Sequence, residues 1–170
     1  MRAEARRVGK PLSRACRPGA TLGWSNRHSE SHFYRSLLEG VAFELVRIVR
    51  ELERMFPGSA LPRIVVGGGG ARSEAWRGIL SDVVGYTVCV PEEPESTALG
   101  AAILAGVGLG AFRDTREACA AMVRMRGSRV PDPANFARYR TIFEEVYLPF
   151  SAVSLGLSAR LRAIAESGRG

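Results

Sequence analysis

Four consecutive glycines, Gly67 to Gly70, followed by Ala71, Arg72, Ser73 and Glu74, form the stretch of this chain best suited to chemistry. Glycine lets the backbone take positive φ and leaves bare main chain against which a flat ligand can lie. Ser73 is a good N-cap, and the free N–H groups of a helix start carry a partial positive charge that suits a nucleotide. The two common glycine fingerprints do not fit. A phosphate loop needs Lys-Ser/Thr after its last glycine, and Lys10 is the only lysine of the chain. The dinucleotide pattern needs Gly or Ala where Arg72 or Ser73 stands, and no acidic residue ends a second strand at the usual distance. Taken alone, the run is either a ligand-binding turn or a tight strand-to-helix turn with no ligand.

Other residues of chemical type read as structural. His28 and His32 stand four apart, the spacing of a metal pair on a helix, but no third ligand is evident. Arg35 and Glu39, also four apart, make a helix ion pair. Asp82 reads as a partner for backbone or a side chain, and Glu95 as a charge at a helix start. Trp76 could wall a pocket, but its helical spacing with Ile79 and Leu80 points to the core.

The elements that must position these residues follow from periodicity. A long amphipathic helix runs from about Ser29 to Phe56, its stripe being Phe33, Leu37, Val41, Leu45, Ile48/Val49, Leu52 and Met55/Phe56, and Pro57-Gly58 ends it. The β-branched Ile64, Val65 and Val66 suit a strand over Arg63–Val66. A second helix covers Ser73–Val84 and stops at Gly85, and Tyr86–Val90 is a second strand. Ser96 or Thr97 caps a small-residue helix to about Gly106. Thr115–Met125 and Ala134–Tyr147 are helical, with Pro131-Asp132-Pro133 between them, and the tail after Pro149 can add another helix. The order is α-β-α-β-α-α-α. Two buried strands cannot make a self-sufficient α/β sheet, because the unpaired edges expose N–H and C=O groups.

Composition narrows the classes. At 170 residues and 46% apolar, the chain can build one core. No apolar run has membrane-spanning length, and the basic start lacks the apolar region of a signal peptide. Cys16, Cys89 and Cys119, odd in number and widely spaced, suggest free thiols in a reducing cytoplasm. The net charge is +7, but residues 1–20 hold six basic residues against Glu4, leaving only +2 for the other 150. Later arginines are interleaved with glutamates, as on a solvated face, so a nucleic-acid partner is not expected.

From Leu22 to about Tyr147 the chain resembles the C-terminal domain of the FGGY family of carbohydrate kinases. The matching pieces occur in order. Gly23-Trp24 and His28 to His32 precede Tyr34 to Phe43. Gly68-Gly69-Gly70-Ala71-Arg72-Ser73 with Trp76 follows, then Ser81-Asp82-Val83. Pro91, Glu95 and Ala98 to Ala105 come next, and Gly108-x-Gly110-x-Phe112, Pro131-Asp132-Pro133 and Tyr139 close the match. The resemblance implies an α/β fold, the C-terminal half of an actin-like (ribonuclease H-like) ATPase domain that is incomplete as a stand-alone unit. It divides the chain into an irregular basic segment (1–21), a partial nucleotide-binding domain (22–150) and a tail (151–170).

The resemblance also implies a role for each residue of the turn. Gly68, Gly69, Gly70, Ala71 and Ser73 match the family's adenosine-binding loop. Glu74 stands where the family can place a polar residue near the adenine, or is simply a carboxylate favoured by the helix dipole. The intact enzyme would move the γ-phosphate of ATP, with Mg²⁺, to a sugar or polyol hydroxyl, a pentulose such as xylulose being favoured. That reaction needs a base for the hydroxyl, donors for the phosphates and the metal. The family's Asp-x-Gly-Thr and Gly-Asp-Gln motifs are not in this sequence, so no catalytic residue and no metal ligand is assigned, and the chain by itself is expected to be inactive. The expected partners are the sugar and the kinase's N-terminal domain, which is missing here, with a homo-oligomer left open. The alternative is a non-catalytic remnant that binds nucleotide weakly or docks on a partner kinase chain.

Overall fold

The computed structural model describes residues 20–58, 61, 63–93 and 95–167. The first helix, α1, spans Glu30–Met55, with Ser29 at its N-cap. It leads to strand β1 (Ile64–Val65), a 3-10 turn over Gly69–Arg72 and helix α2 (Glu74–Val84). Strand β2 (Val88–Pro91) precedes helices α3 (Ser96–Gly108) and α4 (Thr115–Met122), and a third strand, β3, covers Met125–Arg129. Helix α5 (Pro133–Ile142) passes through a π-helical segment (Phe143–Tyr147) into α6 (Leu148–Ser167).

The expected element order therefore holds with one addition. β3 replaces the end of the helix expected to reach Met125. Its sequence, Met-Arg-Gly-Ser-Arg, is exposed throughout and carries no alternation, so it becomes a strand by pairing with β2. The sheet has the order β1-β2-β3, with β1 parallel and β3 antiparallel to the central strand. The β2–β3 ladder shifts register between Val90 and Pro91: Val90 faces Gly127 and Pro91 faces Met125.

One core joins α1, α2, α5 and the sheet. Ala42, Phe43, Val46 and Val49 of α1 pack with Ile79, Leu80, Val83 and Val84 of α2, Val88 of β2, Tyr139 and Phe143. Phe43 lies 4.8 Å from the Tyr147 ring centroid and 5.7 Å from that of Phe143. The stripe read from the sequence of α1 is only partly the buried one. Val49 is buried and Leu45 packs against the core, but Phe33, Leu37, Val41, Ile48, Leu52 and Met55 are exposed. The helix carries apolar residues on two faces, and the described chain covers one of them.

α2 is the best-anchored element, with Ile79 to Val84 buried without interruption. Gly85 ends it in the left-handed region at φ 78°, and a Cβ there would lie 2.3 Å from Cε2 of Phe136. Ser81 donates from Oγ to the carbonyls of Tyr86 and Arg129, tying the helix to β3. Asp82 accepts from the Asp132 N–H at 2.8 Å and from Asn135 Nδ2 at 2.9 Å. It thus ties α2 to the start of α5, the structural part read for it in the sequence. Asp132 in turn caps α5 by accepting from the N–H groups of Ala134 and Asn135, with Pro133 opening the helix.

Candidate functional site

Four element ends meet at the glycine turn. β1 and β2 are parallel, so their carboxyl ends lie on the same side, where open α/β sheets receive ligands. α2 starts from the turn itself. α3 starts beside it, since a Cβ on Gly67 would lie 2.6 Å from Ser96 Oγ. Glu95 occupies the N-cap of α3 without a side-chain cap bond, so it stands at the helix start but Ser96 is the first helical residue.

Within the turn, Gly68 takes φ 76°, a region that L side chains rarely adopt. Its carbonyl accepts from the Ala71 N–H, and the Gly70 carbonyl accepts from the Ser73 N–H. Ser73 caps α2, its Oγ accepting from the Trp76 N–H at 3.2 Å. Ala71 is buried, and its carbonyl accepts from the guanidinium of Arg77. The turn is pinned from below and open above: a Cβ on Gly68 or on Gly69 would meet nothing within 4 Å. Glu74, in the first turn of α2, is exposed.

Two adjoining clefts take three of the six residues singled out by sequence: Gly68 and Ala71 line one, Glu74 lines the other, and Gly69, Gly70 and Ser73 line neither. One, of about 250 Å³, is lined by Gly67, Gly68, Ala71, Arg72, Pro91 and Arg126 among others. The second, also about 250 Å³, runs from Glu74 and Arg77 past Val90 and Arg126 to Arg129. Arg126 lines both and was not legible as a site residue, because nothing in its neighbourhood announced a strand. Trp76 is half-buried against the core and also reaches the turn, since a Cβ on Gly70 would lie 3.5 Å from its ring.

The remaining candidates are structural. The Ser29 N–H donates to His32 Nδ1 at 3.1 Å and the Ser25 N–H to His28 Nδ1 at 3.0 Å, so each histidine closes a local turn. No group of three metal-binding side chains occurs among the described residues. Arg35 pairs with Glu39 at 2.8 Å, as its spacing predicted, and Tyr139 joins them. The tyrosine hydroxyl donates to Glu39 at 2.6 Å and accepts from Arg35 at 3.0 Å. Burial, followed by the bond to Glu39, raises the Tyr139 pKa. Cys89 (buried) and Cys119 (exposed) are free thiols, and Cys16 lies outside the described residues. Among the described residues no helix is long and apolar enough to cross a membrane. A wider groove of about 780 Å³ between α1, the π segment and α6 is lined by Leu37, Val41, Tyr147 and Phe150. It has none of the glycine turn's open backbone and continues the uncovered face of α1.

A small parallel-led sheet flanked by helices, with a glycine turn at the carboxyl ends of its parallel strands, has counterparts in solved kinases. A xylulose kinase from Rhodospirillum rubrum is similar at a TM-score of 0.64 and 31% identity, over 77% of this chain and 26% of that one. The fold is thus that of part of an actin-like, ribonuclease H-like α/β domain. A sequence model of the C-terminal domain of the FGGY family of carbohydrate kinases matches residues 4–109, and the chain belongs to that family. The xylulose kinase of Bacillus subtilis is 30% identical over 129 residues, which is 74% of this chain and 25% of the relative. An autoinducer-2 kinase of Salmonella paratyphi B is 36% identical over 117 residues, 69% of this chain and 22% of the relative. The chain spans about a quarter of the length of these kinases.

Proposed function

We propose that this chain is the adenosine-binding part of an ATP-dependent carbohydrate kinase. The observation that carries the reading is the glycine turn at the carboxyl ends of β1 and β2, pinned beneath by Ala71 and Arg77 and open above Gly68 and Gly69. In this reading the bare backbone of Gly68, Gly69 and Gly70 receives the base and ribose. Ala71 fills the space below, Ser73 fixes the start of α2, and Glu74 stands at its exposed rim. ATP, with Mg²⁺, supplies the phosphoryl group, and a sugar or polyol hydroxyl accepts it. A pentulose is favoured by the likeness to xylulose kinases, although the relatives also include autoinducer-2 and gluconate kinases. The work of this chain's own residues is to bind and orient the nucleotide. The base, the phosphate clamp and the metal ligands would come from the rest of the kinase, so the 170 residues alone turn over no sugar. A cytoplasmic location fits this role.

The test is a melt of the wild-type chain and of Gly69→Val with and without ADP. ADP should raise the wild-type midpoint and leave that of the variant unchanged, because the branched side chain occupies the space meant for the base. An equal rise in both would place the nucleotide elsewhere.

The uncovered face of α1 favours a second reading for the same chain, docking on further kinase polypeptide. Tyr34, Leu37, Val41 and Ile48 are exposed, and among the described residues β1 has a strand neighbour on one side only. A contiguous apolar face of this kind marks a protein contact. Light scattering would show self-association or aggregation of the isolated chain, relieved by Leu37→Glu with Val41→Glu. A stable monomer would count against it.

A further inference from the structure

We infer that Arg126 is a base-stacking residue of the nucleotide cleft, delivered there by a β-bulge; this rests on the proposed role of the glycine turn. On β2, Val90 and Pro91 are adjacent, yet their partners on β3 are Gly127 and Met125. Arg126 is therefore the extra residue of the bulge. The ladder resumes beyond it, where the Glu92 N–H donates to the Arg124 carbonyl at 2.8 Å. A bulge turns one side chain out of the regular alternation, and bulges are over-represented beside functional sites for that reason. This one lies at the carboxyl end of β2, opposite the glycine turn, and the arginine it redirects lines both clefts of the site.

The chemistry of the slot suits a purine. The cleft that Arg126 lines also holds Gly67, Gly68 and Ala71 of the turn and the buried Val90 and Pro91, with Arg72 and Glu92 as its other charged residues. A guanidinium is planar and weakly hydrated, and it stacks on aromatic faces in a way an ammonium cannot. Arg126 is also uncommitted. Arg35, Arg47, Arg50, Arg54 and Arg113 each meet a carboxylate, whereas Arg126 has no carboxylate partner among the described residues. A planar cation and bare backbone line one cleft of about 250 Å³, and in this inference a flat ring seated there stacks on the guanidinium through the adenine, not the ribose or the phosphates.

The experiment is a titration of the isotope-labelled chain with adenosine and with ADP, followed by NMR, on the wild type, Arg126→Ala and Arg126→Lys. Arg126 is exposed, so neither substitution removes core packing. Adenosine alone should shift the Arg126 Nε–H resonance together with the Gly68 to Gly70 amides. Arg126→Ala should weaken adenosine and ADP by the same factor, about fivefold to tenfold for a cation–π contact, and lysine should recover only part of it. Unchanged binding of both ligands by Arg126→Ala would overturn the inference and leave the glycine turn standing. Loss of ADP affinity with adenosine unchanged would make Arg126 a phosphate contact and overturn it as well. If neither ligand moves the glycine amides of the wild type, the adenosine reading of the turn fails, and the inference with it.

Discussion

A positive-φ glycine stands on either side of α2, Gly85 at its C-cap and Gly68 at the head of the turn that leads into it, and the two are built to opposite purposes. At the carboxyl end, Gly85 at φ 78° is closed over by Phe136, which leaves no space for even a methyl group. At the amino end, Gly68 at φ 76° has nothing within 4 Å of where a side chain would begin. Both need a positive φ, but ψ is 16° at Gly85 and −171° at Gly68, and the surroundings differ too. A helix terminator needs only the conformation, and packing then fills the space around it. The open space at Gly68 and Gly69 has no such filling, although α2, α3 and both parallel strands converge on it.

Substitutions at the two ends sharpen that contrast. Gly85→Ala should have the largest effect on stability. A left-handed L-residue costs about 1–2 kcal/mol and displacing the Phe136 ring about 1–3 kcal/mol more, so a urea titration should show a loss of about 2–5 kcal/mol. Asp82→Ala, at the buried joint between α2 and α5, should cost about 1–3 kcal/mol, because the Asp132 N–H and the Asn135 amide lose their acceptor. Gly69→Val should change stability by less than about 0.5 kcal/mol, since its side chain enters open space, while abolishing the response to ADP. A large stability loss at Gly69 with ADP binding kept would erase the distinction between the two ends.

A smaller effect belongs to the aromatic seam that α1 makes with α5 and the π segment. Burial first, and bonds to Glu39 and Glu44 second, hold the Tyr139 and Tyr147 pKa values above the ordinary 10.0. The folded state therefore keeps these protons longer than the unfolded chain does. The stability they contribute is complete below pH 10 and lost as pH rises through the folded-state values. Denaturation midpoints should fall on the alkaline side of pH 10, and Tyr147→Phe should make that fall shallower.

What was legible in the sequence follows from which residues had local reasons for their structure. Ser73, Gly85 and Pro131-Asp132-Pro133 bound their helices through caps and breaks that act within a few residues, and the turn at Gly68–Ser73 stands where the strand and helix signals placed it. β3 was hidden, because Met125 to Arg129 owe their strand to a partner more than thirty residues away. Arg126 was hidden with it, since a bulge exists only between two strands. The buried face of α1 is not legible in the sequence, because Phe33, Leu37 and Val41 recur at the same helical spacing as Ala42, Val46 and Val49. Periodicity cannot say which of two apolar stripes finds a partner. Tertiary contact decides, and α2 with the π segment covers the second.

The measurement that bears most directly on the contrast is photolabelling of the chain with 8-azido-ADP, followed by mapping of the modified residues. A nucleotide seated at the amino end of α2 places the label between Gly67 and Arg77 or on Arg126, with unlabelled ADP suppressing it. Suppressible label on Leu37, Val41, Tyr147 or Phe150, in the groove between α1 and α6, would contradict the assignment and leave the glycine turn as a structural joint like Gly85.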